Sequence, residues 1–198
     1  AKAESLIEDA QIQTTELVSE HEIMQQAYAQ ANEVVTAATE QAQQIEGAEV
    51  EQVTDNNGLQ AVKVTFDSGI LFTTSSATLS SAAKASLSKF ANNVLNQNRD
   101  MDVAIYGYTD NQGWRNSTKE QSVQKNLNLS QERAQSVSSY LLGCGVSASQ
   151  IKSVEGMGES NPVADNSTEA GRQENRRVEV YMYASQQMIQ QAEAGTLQ

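Results

Sequence analysis

Two short stretches of this chain carry side chains whose types and spacing could do chemistry. "GYTDNQG", residues 107–113, closes an alternating apolar run and sets Asp110 at the mouth of a strand. "NLSQERAQSV", residues 128–137, reads as the opening of a helix with Arg133 in its first turn. A cation there faces the positive end of the helix dipole, where an acid is favoured, and local rules broken in this way often mark function. A carboxylate ligand would resolve the conflict, because a guanidinium can grip it with two parallel N–H bonds while the amides of a helix end add their attraction. Asp110 would then be free to hold an ammonium group, and an acid beside a guanidinium suits a zwitterion. Two plainer readings stand beside this one. Glu132 or a neighbouring acid pairs with Arg133 at the surface, or Asp110 is an Asx-turn residue.

Other chemistries find less support. Asp110 and Glu159 could form a carboxylate pair acting on a glycan or amide, but there is no G-x-S-x-G elbow and no His-bearing triad. One histidine (His21) and one cysteine (Cys144) cannot build a zinc site of the usual kind. Cys144 sits in apolar "YLLGCGV" as a small buried filler, with a reactive thiol as the alternative. "TDNNG" resembles a calcium loop, yet the twelfth position from Asp55 is Phe66 where a bidentate Glu is required. No enzyme activity, metal or cofactor is expected.

The 198 residues suffice for one ordinary domain with an appendage. A formal net charge of −12 would repel duplex nucleic acid and anionic membrane surfaces, so nucleic-acid partners are not expected. No stretch approaches the ~20 apolar residues of a membrane span, which leaves attachment only through an N-terminal anchor outside this segment.

The elements that must position these residues follow from periodicity. Residues 1–47 are rich in Ala, Gln and Glu and predict a helical spacer or coiled-coil segment. Ala3, Ile7, Ala10, Thr14, Leu17, His21, Met24, Tyr28, Ala31, Val35, Ala38, Ala42 and Ile45 form a heptad seam. That seam either docks on the domain's own surface or pairs with another chain, and His21 on it is a packed position rather than a ligand. From 48 to 184 strands and helices alternate, predicting an α+β domain: a hairpin around Asn57–Gly58 with Val62, Val64 and Phe66 on one face, a helix capped by Ser80 or Ser81, and a strand in "MDVAIYGY". A second helix is expected over about 129–142, a strand in "QIKSVEGMG", a short helix over 168–174, and a last strand with Val178, Val180 and Met182 inward. Residues 185–198 are a frayed helix or a tail.

In order and spacing, "VTFDSGILFTTSSATLS", "GYTDNQG", "NLNLSQERAQSVSSYLLGCGV" and "GMGESNPVADNSTEAGRQENRRVEV" resemble the peptidoglycan-binding domain of the OmpA/MotB family, over roughly residues 60–183. The likeness is nearest to outer-membrane lipoproteins carrying this domain. It implies a β-α-β-α-β-β two-layer sandwich that binds the peptide stem of the cell wall without cutting it, in the periplasm of a Gram-negative bacterium. It further implies that Asp110 and Arg133 hold the amino and carboxylate groups of diaminopimelate, with Asn126 and Arg176 as further ligand residues. Thr109 and Leu129 would shape the pocket, and the turn at Ser75 and Ser76 would line it. An acid alone would not separate diaminopimelate from lysine, whereas Asp with bidentate Arg would. Arg172, Arg176 and Arg177 form a local basic cluster, although Arg177 could equally be a solvated charge at a strand start. Two departures from the family pattern stand out: "WRNSTKEQSVQ" is expected to contain an insertion, in which Trp114 and Arg115 form a rim or merely decorate a loop, and Tyr108 replaces the family's common His.

Overall fold

The computed structural model describes residues 2–73 and 75–198, with side chains from residue 4 onward within those ranges. Free of Gly and Pro, Lys2–Ala42 form one helix, α1, some 60 Å long at about 1.5 Å per residue. Its seam divides in two. Ala31, Val35, Ala38 and Ala42 are fully buried and Ile45 nearly so, because small side chains let the helix approach the sheet closely. Toward the N-terminus Ile7, Leu17 and Met24 are exposed, and so is His21, contrary to the packed position expected for it. Ala3 lies outside the described side chains.

Strands β1 (Ala48–Thr54) and β2 (Gln60–Asp67) form the expected antiparallel hairpin. Gly58 turns it at φ +87°, a conformation that costs a residue without a Cβ little. With β3 (Met101–Gly107), β4 (Ile151–Gly156) and β5 (Arg177–Ala184) they make one sheet of order β1-β2-β5-β3-β4. Of the neighbouring pairs in this sheet, only β3 and β4 run parallel, as the crossover through helix α4 (Lys119–Gly143) requires. Val62, Val64, Phe66, Val103, Ile105, Val178, Val180 and Met182 share the buried face. Against it lie the C-terminal half of α1, helix α3 (Ser81–Asn93) and α4 (Lys119–Gly143), with Phe66 and Phe90 edge-on at 5.7 Å. The cluster runs from Ala31 through Ile45 into the strands, so the segment expected at 1–47 and the domain expected at 48–184 share one core. The chain is thus α+β, two-layered, with a long N-terminal helix.

Three elements differ from expectation or were not foreseen. Helix α4 begins at Lys119 rather than near residue 129, behind a capping box in which Thr118 Oγ1 accepts from the Gln121 amide and Gln121 Oε1 accepts from that of Thr118. Its first turns bury Ser122, Asn126, Ser130 and Arg133 along one side, so no apolar stripe announces them. Arg133 therefore stands in the middle of the helix, which overturns both the dipole conflict and the contribution of free helix-end amides. A one-turn helix, α2 (Ser68–Leu71), follows β2. Past the short α5 (Glu169–Asn175), which Thr168 caps where a short helix over 168–174 was expected, residues 186–193 form α6 (Gln186–Glu193), whose Met188 and Ala192 are buried where it packs on α1. No helix of the described residues is long and apolar enough to cross a membrane.

Candidate functional site

The site lies where the C-terminal end of β3 meets the flank of α4, and two glycines set how closely these approach. A Cβ on Gly107 would stand 2.3 Å from the Ser130 carbonyl oxygen, and one on Gly156 would stand 2.3 Å from the Gln131 amide. Neither separation is possible for a real side chain, so the helix backbone rests directly on the strand ends. The polar side of α4 then faces the segment leaving β3. That segment is pinned by Tyr108 N donating to Arg177 O at 2.9 Å and Thr109 N donating to Gly158 O at 2.8 Å.

Asp110 is 7% exposed, and its two oxygens do different work. Oδ1 accepts from the Gln112 amide at 2.9 Å, an Asx-type turn. Oδ2 accepts from Arg176 Nη1 at 2.6 Å. Arg176 reaches on to Glu169 Oε1 with Nη2 at 2.7 Å. Burial acts to lower the pKa of Arg176, but its hydrogen bonds to Glu169 and Asp110 outweigh burial and hold it above the ordinary guanidinium value.

Arg133 is also 7% exposed, yet its Nε alone is engaged, donating to Ser76 O at 3.0 Å. Its guanidinium carbon lies 5.1 Å from the centre of the Phe72 ring, a cation–π contact. Its two terminal nitrogens have no hydrogen-bond partner among the described residues. Burial and the nearby charge of Arg176 push its pKa below the usual guanidinium value, while Asp110 pulls the other way. Glu132 is not its partner, so the surface-pair alternative is excluded.

Between these groups is a cleft of about 430 Å³, lined by Ser75, Thr109, Asp110, Asn126, Leu129, Arg133 and Arg176 among others. Seven of the eight residues expected at the site thus share one cavity; Ser76 contributes its carbonyl to Arg133 from behind. Ser68, Phe72, Gln112 and Trp114 complete much of the wall. The apolar run "GILF" ahead of the serine turn was the available signal for Phe72. Trp114 is not decoration, since it lines the cleft and donates from Nε1 to Asn126 Oδ1 at 2.7 Å. Arg115 and Glu159 are not part of the lining, so Asp110 and Glu159 do not form a carboxylate pair across it.

Arg177 is 3% exposed rather than solvated. It donates to Glu179 Oε1 at 2.9 Å and lies 3.9 Å over the Tyr108 ring. The two-residue period of β5 turns it to the face opposite the apolar core, where the loop bearing Asn161 covers it through a 3.0 Å bond from Nη2 to Asn161 O. Arg172 pairs with Glu169 at 2.8 Å. No group of three His, Cys, Asp or Glu among the described residues is arranged to hold a metal ion.

A sequence profile of the OmpA family matches residues 71–176. The chain is 41% identical over 113 residues to the probable lipoprotein YiaD of Escherichia coli K12, covering 57% of this chain and 47% of that protein. It is 44% identical over 81 residues to the peptidoglycan-binding protein ArfA of Mycobacterium tuberculosis, covering 41% of this chain and 22% of that protein. The match therefore spans less than half the length of either relative. The solved cell wall anchor of the type VI secretion system (T6SS) of Pseudomonas aeruginosa superposes with a TM-score of 0.59 at 26% identity, covering 76% of this chain and 97% of that one.

Proposed function

Because this chain belongs to the OmpA family, we propose that it binds the diaminopimelate-containing peptide stem of peptidoglycan without cutting it, and so anchors the outer membrane or an envelope assembly to the cell wall. The observation that carries this reading is the guanidinium of Arg133, buried beside a cleft with both terminal nitrogens unengaged. Its terminal nitrogens are not among the fully enclosed unpartnered atoms and open onto the cleft, where one carboxylate can accept from both through two parallel charge-assisted hydrogen bonds. Asp110, shared with Arg176 on the opposite side, supplies the negative charge that an ammonium group needs. The cleft thus reads both ends of an amino-acid head group, which the carboxylate-free side-chain end of lysine would satisfy only in part. A relative that binds peptidoglycan and a structural neighbour that anchors to the cell wall support the same ligand class.

The exposed N-terminal half of α1 acts as a spacer between this domain and an envelope attachment in the periplasm of a Gram-negative bacterium, and its seam offers a face for a second copy of the chain. Assembly through that seam is the alternative role and is compatible with wall binding. Cosedimentation with purified diaminopimelate-type sacculi tests the binding reading. The chain is expected in the pellet with no soluble fragments released; a chain that stays in the supernatant removes the proposal, and released fragments turn it into a hydrolase.

A further inference from the structure

The segment that follows Asp110 is built into the cleft rather than looped away from it. Trp114 is held at three points: its amide donates to Ser122 Oγ at 2.9 Å, its indole Nε1 donates to Asn126 Oδ1 at 2.7 Å, and the Lys125 ammonium lies 5.7 Å from its ring centre. All three anchors belong to the stretch of α4 that precedes residue 129. Asn126 completes the latch by donating from Nδ2 to Gln112 O at 3.2 Å. Both polar atoms of Asn126 are thus engaged with the loop that carries Trp114, so the residue positions Trp114.

What this latch presents to the cleft is a large, half-buried ring with its only polar atom satisfied. Fixed aromatic surfaces of this kind bind apolar groups at low entropic cost. The charges that would read a zwitterion sit elsewhere, on Asp110, Arg133 and Arg176. We infer that Trp114 is a specificity-determining wall that packs against the small apolar residue next to diaminopimelate in the stem peptide, not against the diaminopimelate head group itself. This rests on the peptidoglycan reading above and deepens it: the ligand is the stem as a chain, with the methyl group of an adjoining alanine as the element that Trp114 selects.

The test is an NMR titration of the full chain with two probes, free meso-diaminopimelate and the tetrapeptide L-alanyl-γ-D-glutamyl-meso-diaminopimelyl-D-alanine. Trp114→Ala should weaken the tetrapeptide about tenfold while leaving free diaminopimelate within about twofold, and Trp114→Phe should restore most of the tetrapeptide affinity. Because the chain holds one tryptophan, wild-type fluorescence should also shift with the tetrapeptide. Wild-type affinities for both probes in Trp114→Ala overturn the inference and leave the peptidoglycan reading standing. Equal loss of both probes overturns it too, by placing Trp114 in the support of the head-group site. A wild-type chain that binds neither probe removes the diaminopimelate reading and this inference together.

Discussion

Arg176 donates to Asp110 at 2.6 Å and, with its other terminal nitrogen, to Glu169 at 2.7 Å, so the acid at the mouth of β3 already shares a cation before a ligand arrives. Arg133 has no ion pair among the described residues, its Nε donating only to the Ser76 carbonyl. The cleft thus pairs an acid whose charge is held in place with a guanidinium whose fork is open, an asymmetry that favours a carboxylate as the group a ligand must bring.

Arg176 and then Arg172, by hydrogen bonding, hold the Glu169 carboxyl below its ordinary range. Replacing Arg176 with Gln should move the Glu169 titration up toward that range, as read from its side-chain carboxyl shift by NMR. An unchanged midpoint would mean that the bridge is not populated in solution.

Gly107→Ala should destabilise the chain by about 1–3 kcal/mol and also weaken muropeptide binding, since the added methyl must push the Ser130 carbonyl, and with it α4 and Arg133, away from β3. Gly143→Ala, which meets nothing within 4 Å, should stay within about 0.5 kcal/mol. Urea denaturation of both variants checks the contrast, and equal effects would deny the close approach of helix to strand.

Burial, reinforced by the nearby charge of Glu179, pushes the Tyr108 hydroxyl up to about 12, against an ordinary value near 10. The unfolded chain therefore loses this proton first as pH rises, and the folded chain binds more protons between those values. Stability from this group is complete below pH ~10 and is lost as pH climbs through about 12. Thermal melts over that window should show a fall that Tyr108→Phe reduces; an identical fall in the variant would assign it to other groups, Tyr181 included.

Leu17 is 66% exposed on the free half of the α1 seam. If that half joins two copies, the wild-type chain should sediment as an oligomer and Leu17→Glu as a monomer, with the domain fold unchanged. Wild-type sedimentation as a monomer at all concentrations would leave α1 as a spacer alone.

Much of this architecture is legible in the residues. Val62, Val64 and Phe66 alternate around a loop with Asn57–Gly58, and Val178, Val180 and Met182 do so in the last strand, because one face of each strand is buried and the period of two cannot slip. Ser80 marks the start of α3 by its hydroxyl. The start of α4 is hidden for a physical reason: its first turns bury Ser122, Asn126 and Ser130, so the apolar period that normally reveals a helix is missing, and only the Thr118–Gln121 box betrays it. The same gap placed Arg133 at a helix end and suggested a dipole conflict that does not exist. Asp110 and Arg133 stand out by their own chemistry, whereas Asn126, Arg176, Thr109, Leu129, Ser75 and Ser76 are reachable only through the motif resemblance. Trp114 is reachable by neither route, since a tryptophan in a polar loop has no periodicity to say which way it faces. Arg177 was equally ambiguous, because its burial depends on a loop from elsewhere in the chain closing over β5.

The most direct measurement is the ratio of affinities for diaminopimelate- and lysine-containing stem peptides, taken by calorimetry on the wild-type chain and on Arg133→Ala. The wild type should prefer the diaminopimelate peptide by at least about thirtyfold, or about 2 kcal/mol, and Arg133→Ala should bind the two peptides alike. Equal affinity of the wild type and Arg133→Ala for the diaminopimelate peptide would contradict the account, because the open guanidinium fork would then play no part in holding the ligand.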